Sequence, residues 1–455
     1  MKRRFGPCLL AFAAAAVVSV FAQNETPSPP QEQGPKPEYT QVDPGKSLDF
    51  LGEAVTRSNL NLGMTVSAAY DTNIAAFSTK TLSQTSYLFA PHIAITQYRP
   101  KLGLSVSYDG GLSVYQQLSN SNTYSQTASA DVLYQLASHW QAHAVDHYSY
   151  SANPFGSYFT IIGQPTLNYP NPVTYVPFAA TNQNIAELDI ANQLGRNDTL
   201  TFNGSESFRR YSNYSNNYTF QAGLLNMISY SGGANYSHKF SARLSAGAGY
   251  NFQSLDFNHG QQRSGISSMQ FFVNYQLTRS WSVSGWMGPE YVSSKTIIQY
   301  LPGRFATLYQ NSWSPAGGLN IGWQGLRDSF VAGFSKQVSD GGGLLATTIV
   351  YSMNAAYRRK LGPRWDGLAS VQYGNNNSFA ASNLNRRFFP DRKYTVTQIY
   401  GQLNREITPR ITASLTYGYV YETQKNIYIV GAAPNYNESR VSASIQYNWN
   451  HPLGR

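Results

Sequence analysis

A chain of 455 residues carries only 12% Asp, Glu, Lys and Arg, with a formal net charge of +10. Soluble domains average about 25% charged residues, so an ordinary set of soluble globular domains is disfavoured. Beyond the N-terminus no run of about 20 apolar residues occurs, which excludes helical membrane spans, and the one cysteine, Cys8, excludes a disulfide framework or a thiolate metal centre.

The chain opens with an export signal. Lys2, Arg3 and Arg4 form a basic start, Leu9 to Phe21 an apolar stretch, and Val20-Phe21-Ala22 a small-residue cleavage site. Residues 1–22 therefore read as a signal peptide. Residues 23–57 follow as a periplasmic segment, Pro-rich as far as Pro44, with one or two helical turns expected over Ser47–Arg57.

From residue 58 to 455 the pattern is that of strands. The first, 59–70, alternates Leu60, Leu62, Met64, Val66, Ala68 and Tyr70 with polar residues. The second, 85–97, sets Tyr87, Phe89, Ile93 and Ile95 on one face, and the third sets Leu102, Leu104, Val106 and Tyr108. Period-two alternation bounded by turn residues marks a half-buried strand. Short turns recur as YRPK, LASHW, LGRND, HKFSAR, LTRSW, QGLRD, RKLGPR and EITPR. Longer segments, rich in Asn, Ser, Gly and Tyr, alternate with them near 71–84, 117–124, 151–182, 210–220, 255–265, 293–311, 336–342, 374–392 and 422–438.

The rhythm predicts an all-β fold: a closed antiparallel transmembrane β-barrel of about 18 strands (16–18), with short periplasmic turns and long extracellular loops. Closure leaves no unpaired strand edge in lipid. An Arg or Lys facing mid-bilayer costs about 2–4 kcal/mol. The basic residues accordingly sit at the short turns, among them Arg99, Lys101, Arg196, Arg243, Arg279 and Arg410. There they would ring the periplasmic rim and meet anionic lipid headgroups. The pI of about 9.4 does not point to nucleic acid, because this charge is spread around a rim of an exported chain.

Three kinds of candidate site stand out in the chain. His139, His143 and His147 would share one ion on a helix, but on a strand, neighbours four apart are about 13 Å apart. A polar row facing the lumen is the better reading, and no metal is expected. Asp109, Asp131, Glu187 and Asp189 have inward parity, as do Arg209 and Arg405 near strand ends. Opposed charges there would bias ion choice. The longest loop, 151–181, is apolar and aromatic, with Phe155, Tyr158, Phe159, Tyr169, Tyr175 and Phe178. Folded inward, it would constrict the pore; packed on its neighbours, it would stay outside. No Ser/His/Asp spacing or phosphate cradle is present, so no enzyme, no catalytic residue and no cofactor is expected.

The segment Tyr70-Asp71-Thr72-Asn73-Ile74, with Tyr98-Arg99-Pro100 before a Leu-rich strand and Tyr108, resembles the first hairpins of Gram-negative outer-membrane β-barrel porin families, including barrels associated with exopolysaccharide gene clusters. The last strand, Arg440 to Trp449 (RVSASIQYNW), resembles the C-terminal insertion signal read by the barrel-assembly machinery, although Asn450–Arg455 continue beyond it. The resemblance implies an outer-membrane pore. The leading expectation is a porin-like channel passing small hydrophilic solutes by diffusion. An exopolysaccharide export conduit or scaffold, and a closed structural or adhesive barrel, stand as alternatives, and a homo-oligomer is left open.

Overall fold

The computed structural model describes residues 58–73, 83–116, 122–151, 179–213, 224–258, 260–301, 304–342, 345–379, 392–425 and 435–453. Eighteen strands follow in chain order: β1 (Asn59–Asp71), β2 (Gln84–Arg99), β3 (Leu102–Tyr115), β4 (Thr123–Ala137), β5 (Trp140–Ser151), β6 (Ala179–Gln193), β7 (Asp198–Asn213), β8 (Met227–Lys239) and β9 (Leu244–Phe257). The second half comprises β10 (Gln262–Gln276), β11 (Trp281–Leu301), β12 (Arg304–Gln324), β13 (Asp328–Gly341), β14 (Leu345–Gly362), β15 (Trp365–Ser378), β16 (Lys393–Thr408), β17 (Ile411–Lys425) and β18 (Asn435–Pro452). Every strand pairs antiparallel with its sequence neighbours. β1 also pairs with β18, from Asn59 opposite Pro452 to Asp71 opposite Arg440, so the sheet closes. The expected barrel and its even strand number are what the chain forms.

Alternation decides which side each residue takes. On β1, Leu62, Met64, Val66 and Tyr70 are exposed on the outer wall, while Ser67, Ala69 and Asp71 are buried on the inner one. On β10, Met269, Phe271 and Val273 face out, and Ser264, Ile266 and Ser268 face in. An apolar exterior is what hydrocarbon requires, because it offers no hydrogen bonds. Inside, serines opposed across neighbouring strands bond each other: Ser107 with Ser129 at 2.7 Å, Ser205 with Ser231 at 2.7 Å, and Ser335 with Ser352 at 2.6 Å. Near the short-turn rim the outer wall carries Trp140, Trp281, Trp323 and Trp365. Trp281 and Trp323 lie 6.0 Å apart, as in the interfacial aromatic girdle of a membrane barrel.

The short turns have a local cause. Thr278 Oγ1 accepts from the N–H groups of Ser280 and Trp281; Thr408 Oγ1 accepts from those of Arg410 and Ile411; Ser241 Oγ accepts from those of Arg243 and Leu244. A hydroxyl at the turn start thus satisfies donors that the ladder leaves over.

Three segments expected as long loops are extended strand. β9 and β10 meet through Asn258 and Gly260, both at positive φ, and β11–β12 and β13–β14 continue to Leu301/Arg304 and Gly341/Leu345. Beyond the membrane both faces of a strand are wet, so polar composition no longer distinguishes strand from loop. The 21-residue β11 and β12 are far longer than the 9–11 residues a bilayer needs.

Candidate functional site: an infolded hairpin in the lumen

The wall between β12 and β13 is short. The two strands pair only from Gly317 opposite Lys336 to Gln324 opposite Ser329, although β12 starts at Arg304 and β13 runs to Gly341. Pro315 stands two residues past the last pair and faces Pro289 across β11–β12. The β10–β11 ladder likewise skips Met269–Gln270 opposite Gly288–Pro289. Proline has no N–H to give a ladder and is confined to edges and irregular positions. Freed from β12, β13 and β14 stay paired with each other, Val338 opposite Ile349 and Asp340 opposite Thr347.

This hairpin end crosses the lumen. Arg209 on β7 forms an ion pair with Asp340, Nη1 to Oδ1 at 2.9 Å, with both side chains largely buried. The Tyr211 hydroxyl donates to the Gly342 carbonyl at 2.7 Å. The Val338 N–H donates to the Glu290 carboxylate on β11 at 2.8 Å, passing over β12 entirely. The Thr347 hydroxyl donates to Ser264 Oγ on β10 at 2.6 Å. Gly342 has φ 66°, and its N–H returns to Asp340 Oδ1 at 2.8 Å, which shapes the tip. That backbone conformation favours glycine.

Apolar packing holds the same contact. Met227, Leu255, Phe257, Ile266 and Val292 are buried inner-wall residues of β8 to β11, and they cluster with Val338 and Phe379. Gln310 Nε2 on β12 donates to the Phe379 carbonyl at 3.3 Å. In a polar lumen, such inward apolar residues have no reason to be there unless another segment covers them. The hairpin supplies that cover for one side of the barrel interior.

Across the lumen a different surface remains wet. Asp109 and Asp131 point inward from β3 and β4, their side chains 51% and 55% exposed. His92 Nδ1 lies 2.6 Å from Asp109 Oδ1, and His143 Nε2 lies 3.1 Å from Asp131 Oδ1. Glu187 and Asp189 continue this belt on β6, with Asp189 directly opposite His143. His143 and His147 share the inner face of β5, while His139 sits in the turn. Among the described residues no group of three or more His, Cys, Asp or Glu is placed to hold a metal.

The two arginines behave differently. Arg209 faces inward, but Asp340 neutralises it. Arg405 takes the outer wall: its Cα stands opposite Trp365 and Ala413, and its guanidinium carbon lies 5.1 Å from the Trp365 ring centre. The expected inward parity for Arg405 is therefore corrected. β16 alternates outward through Ile399 and Leu403 to Arg405, and at the membrane rim a guanidinium finds water beside an aromatic ring. Without it, the named lumen charges form an acidic belt and one neutralised pair.

The aromatic constriction candidates Phe155, Tyr158, Phe159, Tyr169, Tyr175 and Phe178 lie outside the described residues, as do residues 1–57. The infolded hairpin was not anticipated from sequence. Two signals for it exist there: the prolines at 289 and 315, and the switch to apolar residues at inward positions such as Leu255, Phe257 and Val292.

No family model matches the chain, and no curated protein matches it in sequence. Among solved structures, it is similar to OpdK of Pseudomonas aeruginosa with vanillate (10% identity, 86% of this chain and 99% of that one, TM-score 0.43). It is also similar to OccAB4 of Acinetobacter baumannii (10% identity, 88% and 100%, TM-score 0.40). The ferric citrate transporter FecA in its unliganded form gives 12% identity and a TM-score of 0.40 over 80% of this chain. The chain spans 60% of that transporter's length. At such low identity and overlap these likenesses add nothing to what the barrel shows by itself. A closed antiparallel barrel of eighteen strands, apolar outside and girdled by tryptophan, is an outer-membrane barrel of the Gram-negative kind.

Proposed function

We propose that the protein is a porin-like channel that passes small hydrophilic solutes across the outer membrane by diffusion, with a preference for cations. The β13–β14 infold carries this reading: it narrows one side of the lumen and leaves the acidic belt of β3, β4 and β6 facing water. Size exclusion would come from the gap between hairpin and belt. Ion preference would come from Asp109, Asp131, Glu187 and Asp189, whose carboxylates raise the local concentration of cations. A ring of carboxylates is the usual device of cation-passing pores. No covalent chemistry is involved.

The test is conductance of the purified barrel in a planar bilayer under a salt gradient. Stable steps with a reversal potential of cation sign are expected. Persistent silence from a barrel shown to be folded by its heat-shifted gel mobility would replace this reading with a closed structural barrel. Conductance of anion sign would remove the role given to the acidic belt.

A further inference from the structure

The outer wall of β5 to β7 breaks the rule that the rest of the barrel obeys. One ladder row runs Val106, Ala130, Asp146, Ala186, Glu206, Tyr230. Val106 and Tyr230 are exposed on the lipid face, and alternation puts the whole row on that face. Two carboxylates therefore point away from the lumen. Asn184, on the same face and opposite Phe208, donates its amide to Asp146 Oδ1 at 2.6 Å.

Depth makes this costly. Asp146 lies six positions up β5 from Trp140 and Glu206 eight positions up β7 from Asp198. At about 3.3 Å per residue and a tilt near 40°, they stand roughly 15 and 20 Å above the periplasmic strand ends. The apolar band is about 25 Å tall, so both acids fall within it. Hydrocarbon solvates no carboxylate, and ionisable residues at membrane depth turn toward protein or water. Among the described residues Glu206 has no cation within ion-pair distance. Arg210 is exposed on the same face, and its guanidinium carbon lies 5.3 Å from the Phe208 ring centre, between its own level and that of Glu206.

We infer that this patch is a contact between copies of this chain within the membrane. It offers carboxylate acceptors (Asp146, Glu206) and a guanidinium donor (Arg210) together, the Asn184 amide being used within the chain on Asp146 Oδ1 and the His147 carbonyl, and the small residues Ala130, Ala144, Ala186 and Gly204 around them let two walls approach closely. Rotation about an axis along the membrane normal keeps each residue at its own depth. A second copy therefore brings its Arg210 guanidinium donor beside the carboxylates, which a lipid chain cannot do. The patch is self-complementary in hydrogen bonding, and a copy of the same chain is the partner that self-complementarity fits.

The test uses the full barrel in lipid nanodiscs at several lipid-to-protein ratios. Native mass spectrometry should find an oligomer that Asp146→Leu with Glu206→Leu converts to monomer. The variant Asp146→Asn with Glu206→Gln, which keeps hydrogen-bonding capacity, should retain it. Each variant is checked for heat-shifted mobility, so loss of folding is recognised. On a Cys8→Ser background, Ala186→Cys should be captured by a bis-maleimide of about 10 Å reach at least tenfold more than Ala355→Cys on the far wall. A monomer at every ratio, an oligomer that persists in the double leucine variant, equal capture at 186 and 355, or capture of a different polypeptide at 186 would each overturn the assignment.

Discussion

Arg209 and Asp340 are 131 residues apart in sequence and 2.9 Å apart in space. They sit on β7 and β13, strands that are not neighbours in the wall. Their contact is possible only because β13 has left β12 and entered the barrel. The pair thus joins two sides of the lumen and fastens the hairpin that narrows it.

Removing one partner should open the channel. Arg209→Ala removes the cation paired with the largely buried Asp340 carboxylate, which keeps the Gly342 N–H, and breaking a buried pair costs about 3–5 kcal/mol. The hairpin tip should detach before the wall unfolds, because the wall keeps its ladders. Single-channel recording should show larger conductance or frequent excursions to a larger state. Unchanged conductance in a folded Arg209→Ala barrel would mean that the hairpin does not limit flow.

Locking the hairpin should have the opposite effect. The hydroxyls of Ser264 and Thr347 are 2.6 Å apart, so cysteines at both positions can be oxidised to tie β10 to β14. Open-channel noise should fall on oxidation and return on reduction, with mean conductance close to that of the parent. A noise level indifferent to reduction would argue that the hairpin is already rigid.

Charge in the belt should set ion preference. Asp109→Asn with Asp131→Asn and Glu187→Gln removes three carboxylates from inner-wall positions and leaves size nearly unchanged. The reversal potential in a salt gradient should move toward zero, and the effect should shrink at high ionic strength as the charges are screened. Conductance itself should change less than twofold at 1 M salt.

Gly318 is required by its neighbour. A Cβ there would fall 2.5 Å from Trp286 Nε1, whose ring lies over it on the inner wall, and 3.2 Å from the Phe334 carbonyl. Gly318→Ala should cost about 1–3 kcal/mol by overpacking. The measurement is the midpoint of heat-induced gel shift, which should drop. Gly401→Ala, where nothing lies within 4 Å, should leave it unchanged.

Much of the fold was legible because membrane barrels obey a local rule. Leu62, Met64 and Val66 had to share a face, and the hydroxyl-led turns such as Thr278–Trp281 had to be tight. Strand number followed from counting those turns. The inward side of Asp109 and Asp131 was legible for the same reason, since both take it from parity. Arg405 takes the side opposite to the one expected, since one residue of parity exchanges the faces. The tall hairpins at 293–311 and 336–342 were hidden by their polar composition, which is as suitable for a strand in water as for a loop.

By itself, then, the sequence determined a closed antiparallel barrel of about eighteen strands and its two sides, because alternation and turn chemistry act over a few residues. Only the tertiary structure decided which hairpin enters the lumen. That choice depends on whether Val338, Asp340 and Thr347 find better partners on β7 to β11 than on their own neighbour β12. Contacts between residues 48, 83 and 131 positions apart leave no periodic trace in the chain. Asp146 and Glu206 take their outward side from alternation, but they come into one row only when β5, β6 and β7 pair in register.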